Sequence, residues 1–177
     1  MRQAVLLRGI NLGSTRRVSM PELRKLLTEA GYQDVATYLQ SGNVVLDSDA
    51  SPEEVAKDCE RLIEERFGFE VPTLVRTAED LESVVARNPL PEATKDPKRY
   101  QVTFLDRPLD PSTVDALTEL AAAKERFVAS GRELYGWHPD GASRSKLWNR
   151  LASKELGVSA TARNWTTVIA LLEMARQ

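Results

Sequence analysis

One cysteine and one histidine are the only thiol and imidazole in this chain of 177 residues. Cys59 has no partner for an internal disulfide, and Cys59 with His138 is too small a donor set for a thiolate cluster or a multi-histidine metal site. No metal and no cofactor are expected, and a reducing, cytoplasmic setting follows from the cysteine usage. Long apolar runs are missing too. Only Ala4 to Leu7 separate Arg2-Gln3 from Arg8, far short of a signal core or of the ~20 residues that cross a bilayer, so neither an anchor nor a membrane partner is expected.

The common nucleotide fingerprints are also absent. There is no G-x-G-x-x-G, and Gly9 and Gly13 lack the following lysine of a phosphate loop, which excludes Rossmann and P-loop readings. Aromatic residues are 6% of the chain, and Tyr38 is the only one in the first predicted hairpin, so no aromatic strand of the RNA-recognition type is legible. A formal net charge of -2 excludes a uniformly basic nucleic-acid coat. The charge is nonetheless segregated. Eight acidic residues face two basic ones between Asp47 and Glu65, whereas Arg144, Lys146, Arg150, Lys154 and Arg163 face Glu155 alone between Ser143 and Arg163.

What is present is a regular alternation of strands and helices. Ala4 to Leu7 reads as a buried strand. Ser19-Met20-Pro21-Glu22 opens a helix as a capping box, with Met20, Leu23, Leu26, Leu27 and Ala30 as its apolar stripe. Val35 to Gln40 and Asn43 to Asp47 form a hairpin about Ser41-Gly42; Ser51-Pro52-Glu53-Glu54 caps a second helix, and a strand near Val71 to Arg76 follows. The order βαββαβ is the split βαβ, or ferredoxin-like, arrangement, an α+β fold with an antiparallel sheet.

The second half repeats it in part. A short helix (Glu79 to Ala86), a charged loop, a strand (Tyr100 to Leu105), a helix after Asp110-Pro111 and a hairpin about Ser130-Gly131 precede two helices, Ser143 to Leu156 and Arg163 to Ala175. Two ferredoxin-like subdomains, 1–77 and 78–177, are expected, the second partial and extended by the closing helices.

The candidate site begins at Arg8-Gly9-Ile10-Asn11-Leu12-Gly13-Ser14-Thr15-Arg16-Arg17. This segment leaves a strand and enters a helix through glycines, hydroxyls and three arginines, the composition of an anion site. Arg8, Gly9, Asn11, Gly13 and Arg17 are its candidates, against the alternative of a tight turn with solvated arginines. Ser145 and Lys146 open a helix whose Lys146, Arg150 and Lys154 form a basic stripe, either a phosphate track or a solvated face. Arg163 and Asn164 follow Thr161, which is read as a helix cap, and Arg163 is kept as an anion candidate.

Catalytic readings fare less well. Ser143-Arg144-Ser145-Lys146 matches the S-x-x-K of penicillin-recognising enzymes, but the companion Lys-Thr-Gly is missing and Ser-Gly-Asn precedes it. His138 reads as a loop residue, Cys59 as an inert core thiol, and Glu53-Glu54 and Glu64-Glu65 as helix surface.

Leu6-Leu7-Arg8-Gly9-Ile10-Asn11-Leu12-Gly13, Tyr38-Leu39-Gln40-Ser41-Gly42-Asn43-Val44-Val45, Ser145-Lys146 and Thr161-Ala162-Arg163-Asn164-Trp165-Thr166-Thr167-Val168 together resemble the bacterial family known as domain of unknown function 1697. The resemblance spans nearly the whole chain. It implies two similar α+β subdomains and no established activity, and it makes Ser41, Gly42 and Asn43 a family signature that turn chemistry alone would also explain. Three functions stay open. The first is a phosphate- or anion-recognising module for a nucleotide or nucleic acid. The second is a small enzyme on a phosphorylated or carboxylated metabolite, and the third an interaction or structural role.

Overall fold

Serine caps set the first two helices of the computed structural model, which describes all 177 residues, Met1–Gln177. Ser19 Oγ accepts the Glu22 N–H ahead of α1 (Met20–Glu29), and Ser51 and Glu54 form a full reciprocal box ahead of α2 (Pro52–Phe67). Met20, Leu23 and Leu27 of α1 and Val55, Cys59 and Ile63 of α2 recur at three and four, so each helix buries one stripe.

Those stripes lie on an antiparallel sheet of β1 (Arg2–Leu7), β2 (Gln33–Tyr38), β3 (Asn43–Asp47) and β4 (Thr73–Thr77), in the order β2-β3-β1-β4. Val5, Leu7, Val44, Leu46 and Val75 join the helices in one core. Strand alternation sends Ala4, Leu6, Val45, Leu74 and Arg76 to the other face, where Ala4 sits opposite both Val45 and Arg76. These residues are buried as well, which explains why β1 and β3 read as continuous apolar runs.

After α3 (Ala78–Ala86) the order is repeated by β5 (Tyr100–Leu105), α4 (Pro111–Leu120), β6 (Arg126–Ser130), β7 (Glu133–Trp137), α5 (Lys146–Leu151) and β8 (Ala160–Asn164), and α6 (Trp165–Ala175) follows. The second sheet runs β6-β7-β5-β8, strand for strand the order of the first. Its helix-facing core contains Leu105, Leu117, Leu134, Leu147, Leu151, Leu156 and Ala160. By contacts the chain forms two compact units, Met1–Ser83 with Ala170–Gln177, and Val84–Ile169.

The α+β class with two antiparallel sheets agrees with the sequence, and four local readings need correction. The second βαββαβ is complete. Residues 160–164 form β8, paired along β5, where the sequence suggested a helix start at Arg163. The helix expected from Ser143 to Leu156 is α5 followed by a separate 3-10 turn, Lys154–Leu156, so Lys146, Arg150 and Lys154 do not share one continuous helix. The first hairpin turns through four residues, 39–42, and the second through two, 131–132.

Gly42 fits because it is glycine. Its φ is 84°, and a Cβ would come within 2.7 Å of Leu7 Cβ and 2.9 Å of Ile10 Cδ1. Gly42→Ala therefore combines a left-handed penalty of ~1–2 kcal/mol with overpacking of ~1–3 kcal/mol. A loss of about 3 kcal/mol in denaturant-monitored unfolding is the expected outcome; a change within ~0.5 kcal/mol contradicts the assigned packing.

Candidate functional site

The two copies of the fold share their strand order and their hydrogen bonds at one sheet end. Leu7 N–H donates to Gly42 O at 2.9 Å and Leu105 N–H to Arg132 O at 2.9 Å; Arg8 N–H donates to Pro72 O at 2.9 Å and Asp106 N–H to Ser159 O at 3.0 Å. Beyond that shared frame they diverge. The connection from β1 to α1 covers residues 8–19, whereas that from β5 to α4 covers only 106–110. Arg8 stands where the second copy has Asp106. Both additions to the first copy, the long connection and the longer hairpin turn, lie at the same end of its sheet.

Asn11 joins them. Its Oδ1 accepts the Val18 N–H at 2.9 Å, and its Nδ2 donates to Val18 O at 2.9 Å and to Gln40 O at 2.7 Å. Arg16 supports the loop from below, donating from Nε to Gly9 O at 3.1 Å and from Nη2 to Glu70 O at 2.6 Å, with its guanidinium 5.2 Å from the centroid of the Phe69 ring. Asn43 is fully buried and donates to Tyr38 O at 3.1 Å and Ser41 Oγ at 3.0 Å, which fixes the hairpin turn. Asn11, Arg16 and Leu39 all hold left-handed backbone, with φ 55°, 52° and 56°. For Leu39 this costs ~1–2 kcal/mol, and strain of that kind gathers at functional sites.

The crest of the loop is unpaired. Leu12 to Thr15 are exposed, and neither their backbone N–H groups nor the Ser14 and Thr15 hydroxyls bond to protein. Exposed Arg17 donates from Nη1 alone, to Gly13 O at 3.0 Å. Leu12 is 83% exposed and Leu39 58%. The α1 N-terminus does not contribute, since Ser19 caps it and Pro21 removes one of its N–H groups.

The candidates of the second unit have internal roles. Arg163 lies on β8, buried, with Nη1 donating to Thr161 Oγ1 and Ala162 O at 2.8 Å each; burial lowers its pKa to about 10. Asn164 Oδ1 caps α6 by accepting the Thr167 N–H at 2.9 Å. Ser145 is buried and caps α5 at the Trp148 N–H, while Lys146 is exposed. Arg8, Gly9, Asn11, Gly13, Arg17, Ser41 and Asn43 thus belong to one end of the first unit, and Ser145, Lys146, Arg163 and Asn164 to the second.

Sequence reasoning missed one cluster. His138 is a loop residue, as read, but only 1% exposed; its Nδ1 bonds to Glu125 Oε2, which also accepts the Ser145 hydroxyl at 2.6 Å. A relay would need the imidazole between serine and carboxylate, whereas here both bond to the same oxygen. The cluster ties α5 to the strand ends. Nothing in the Trp137-His138-Pro139-Asp140-Gly141 sequence signals it, because Glu125 and Ser145 come from other segments. Cys59 is buried as expected, and burial pushes its thiol up to about 12. No group of three or more His, Cys, Asp or Glu side chains is placed to hold a metal.

Aromatic side chains of the second sheet have partners within their own unit. Tyr100 stacks on Trp165 at 5.1 Å and donates its hydroxyl to Asn88 Oδ1 at 2.6 Å, and the Tyr135 hydroxyl donates to Val84 O at 2.8 Å. Both tyrosines are buried, so they offer no stacking platform for bases. No helix is long and apolar enough to cross a membrane.

The profile of DUF1697, a family of proteins of unknown function, matches residues 1–135, and the chain belongs to that family. A conserved bacterial protein of Streptococcus pneumoniae, SP0830, is similar over 98% of both chains, with 26% identity and a TM-score of 0.79. Curated proteins provide no match.

Burial by itself would raise the Glu125 carboxyl, but hydrogen bonds from Ser145, the Ala122 N–H and His138 outweigh it and hold the group below the usual carboxylate range. A carboxyl lowered in the folded state contributes stability above its unfolded value of about 4.3, and that contribution is lost as pH falls through the folded value. Unfolding free energy measured from pH 7 to pH 2 should fall below about pH 4.3, and less steeply in Glu125→Gln. Equal acid limbs would remove Glu125 from this role.

Proposed function

We propose that this member of the family is a binding module that recognises an anionic group, a phosphate above all, at the elaborated end of its first unit. One observation carries the reading. The end where the duplicated folds diverge is also where backbone N–H groups, two hydroxyls and most of a guanidinium have no protein partner. A loop of free donors beside arginine suits a tetrahedral oxyanion, which accepts several hydrogen bonds at once.

The second copy supports the same reading by contrast. Asp106 replaces Arg8 there, and its carboxylate accepts the Ser159 N–H at 3.0 Å and pairs with Arg107 at 2.9 Å. That end is short, and its charge is matched internally. The reading rests on Arg8, Gly9, Gly13 and Arg17, with Asn11, Ser41 and Asn43 positioning them. It leaves out Ser145, Arg163 and Asn164, whose polar groups serve the second unit's own structure.

Calorimetric titration at low salt with phosphate, nucleotides and short oligonucleotides tests the proposal. Binding should weaken as salt rises. Arg17→Ala should lower affinity about tenfold, the ~1.4 kcal/mol of one charge-assisted hydrogen bond, while Arg107→Ala changes nothing. Absence of salt-sensitive binding to any of these anions, or equal binding by Arg17→Ala, refutes it.

A further inference from the structure

The outer strands of the two sheets are β2, β4, β6 and β8, and on all but β6 a side chain bonds a strand carbonyl. On β2, Arg2 Nη1 donates to Asp34 O at 2.9 Å, and the strand shifts register between Gln33 and Ala36, with Asp34 at φ 47°. On β4 and β8, Arg76 Nη1 donates to Val75 O at 3.2 Å and Arg163 Nη1 to Ala162 O at 2.8 Å. Bulges and side-chain cover of this kind blunt an edge against further pairing. By contrast, β6 keeps unbroken register from Arg126 opposite Trp137 to Ser130 opposite Glu133. Its two-residue turn makes Ser130 and Glu133 a hydrogen-bonded pair, and such pairs alternate, so the N–H and C=O of Phe127 and Ala129 face away from β7. No hydrogen bond from any other segment reaches them.

The start of this open edge is basic. Glu125 Oε2 accepts the Ser145 hydroxyl at 2.6 Å, so the residue before β6 lies against the cap of α5. Lys124 and Arg126 flank one end of that bond, Arg144 and Lys146 the other, and all four are exposed. Glu125 is itself engaged by His138, Ser145 and the Ala122 N–H, and no ion pair neutralises any of the four cations; Arg126 reaches only Glu125 O, at 3.4 Å. Edge and cations select the same occupant. An open edge offers alternating donors and acceptors, which another polypeptide strand matches and a phosphodiester backbone, having no donors, does not. A second copy would bring β6 itself, Arg126-Phe127-Val128-Ala129-Ser130, which has no carboxylate for the cations. We infer that β6 is a docking edge for an extended acidic peptide, which adds a fifth strand to the second sheet and sets its carboxylates among Lys124, Arg126, Arg144 and Lys146. This edge belongs to the second unit and owes nothing to the anion reading of the first.

Fluorescence anisotropy of the full chain tests this with a labelled, alternating Glu-Val peptide of about ten residues, and with an alternating Lys-Val peptide and an oligo-dT of about 12 nucleotides as competitors. The acidic peptide should bind, weaken as salt rises, and lose about tenfold in affinity in Lys124→Glu combined with Lys146→Glu, both at exposed positions; the Lys-Val peptide should bind at least about tenfold more weakly. Amide hydrogen exchange followed by NMR reads the edge directly. The Phe127 and Ala129 N–H groups should exchange fast in the free protein and at least about tenfold more slowly with the acidic peptide bound, while the Val128 N–H, held by β7, stays slow in both. No binding of the acidic peptide up to about 1 mM, binding that leaves the Phe127 and Ala129 exchange unchanged, or tighter binding of oligo-dT overturns the assignment. Protection of both amides in the free protein that is lost on dilution gives the edge to a second copy and overturns it too.

Discussion

The side chain of Asn11 makes three hydrogen bonds, two to Val18 and one to Gln40, and the form of the first unit's elaborated end depends on them. An amide is the side chain that can both donate and accept along two strands of backbone, and asparagine also tolerates the left-handed φ of 55° required there. With the loop closed at Val18 and pinned to the hairpin turn, the residues between are held clear of the fold. Gly42 completes the arrangement by letting the turn approach Leu7 and Ile10 more closely than any Cβ would permit.

Duplication supplies the scaffold on which this end is built. Arg76 on β4 and Arg163 on β8 occupy the same register, opposite Ala4 and Val102, and both are buried. The copies have kept their sheet frame, since changing a register would turn every side chain to the wrong face. They have diverged in loops, where length costs little. One copy has a long donor-rich connection, and the other has internal ties such as the Glu125, His138 and Ser145 cluster.

Helices were legible because their signals are local. Ser51 with Glu54, Pro52 and the spacing of Val55, Cys59 and Ile63 suffice to start and orient α2. The strand β8 was not, because Ala160-Thr161-Ala162-Arg163-Asn164 has small and polar residues where a strand signal needs β-branched alternation; its pairing comes from β5, about sixty residues away. Of the candidate site, the loop from Arg8 to Arg17 and the turn at Ser41 to Asn43 were legible from glycines, amides and arginines. That they adjoin was not, because contacts between distant residues establish it, among them the Asn11–Gln40 hydrogen bond, 29 residues apart, and the close approach of Gly42 to Ile10.

The sequence by itself determined the class of fold, the order of elements in the first unit, the caps of its first two helices and the burial of the lone thiol, because each depends on neighbours within about four residues or on strict periodicity. Tertiary structure alone decided which polar residues remain available. Arg163 and His138 look as exposed in sequence as Arg17 does, yet folding buries the first two among their own partners and leaves the third in water. Burial depends on what distant segments bring to a position, and no local pattern encodes that.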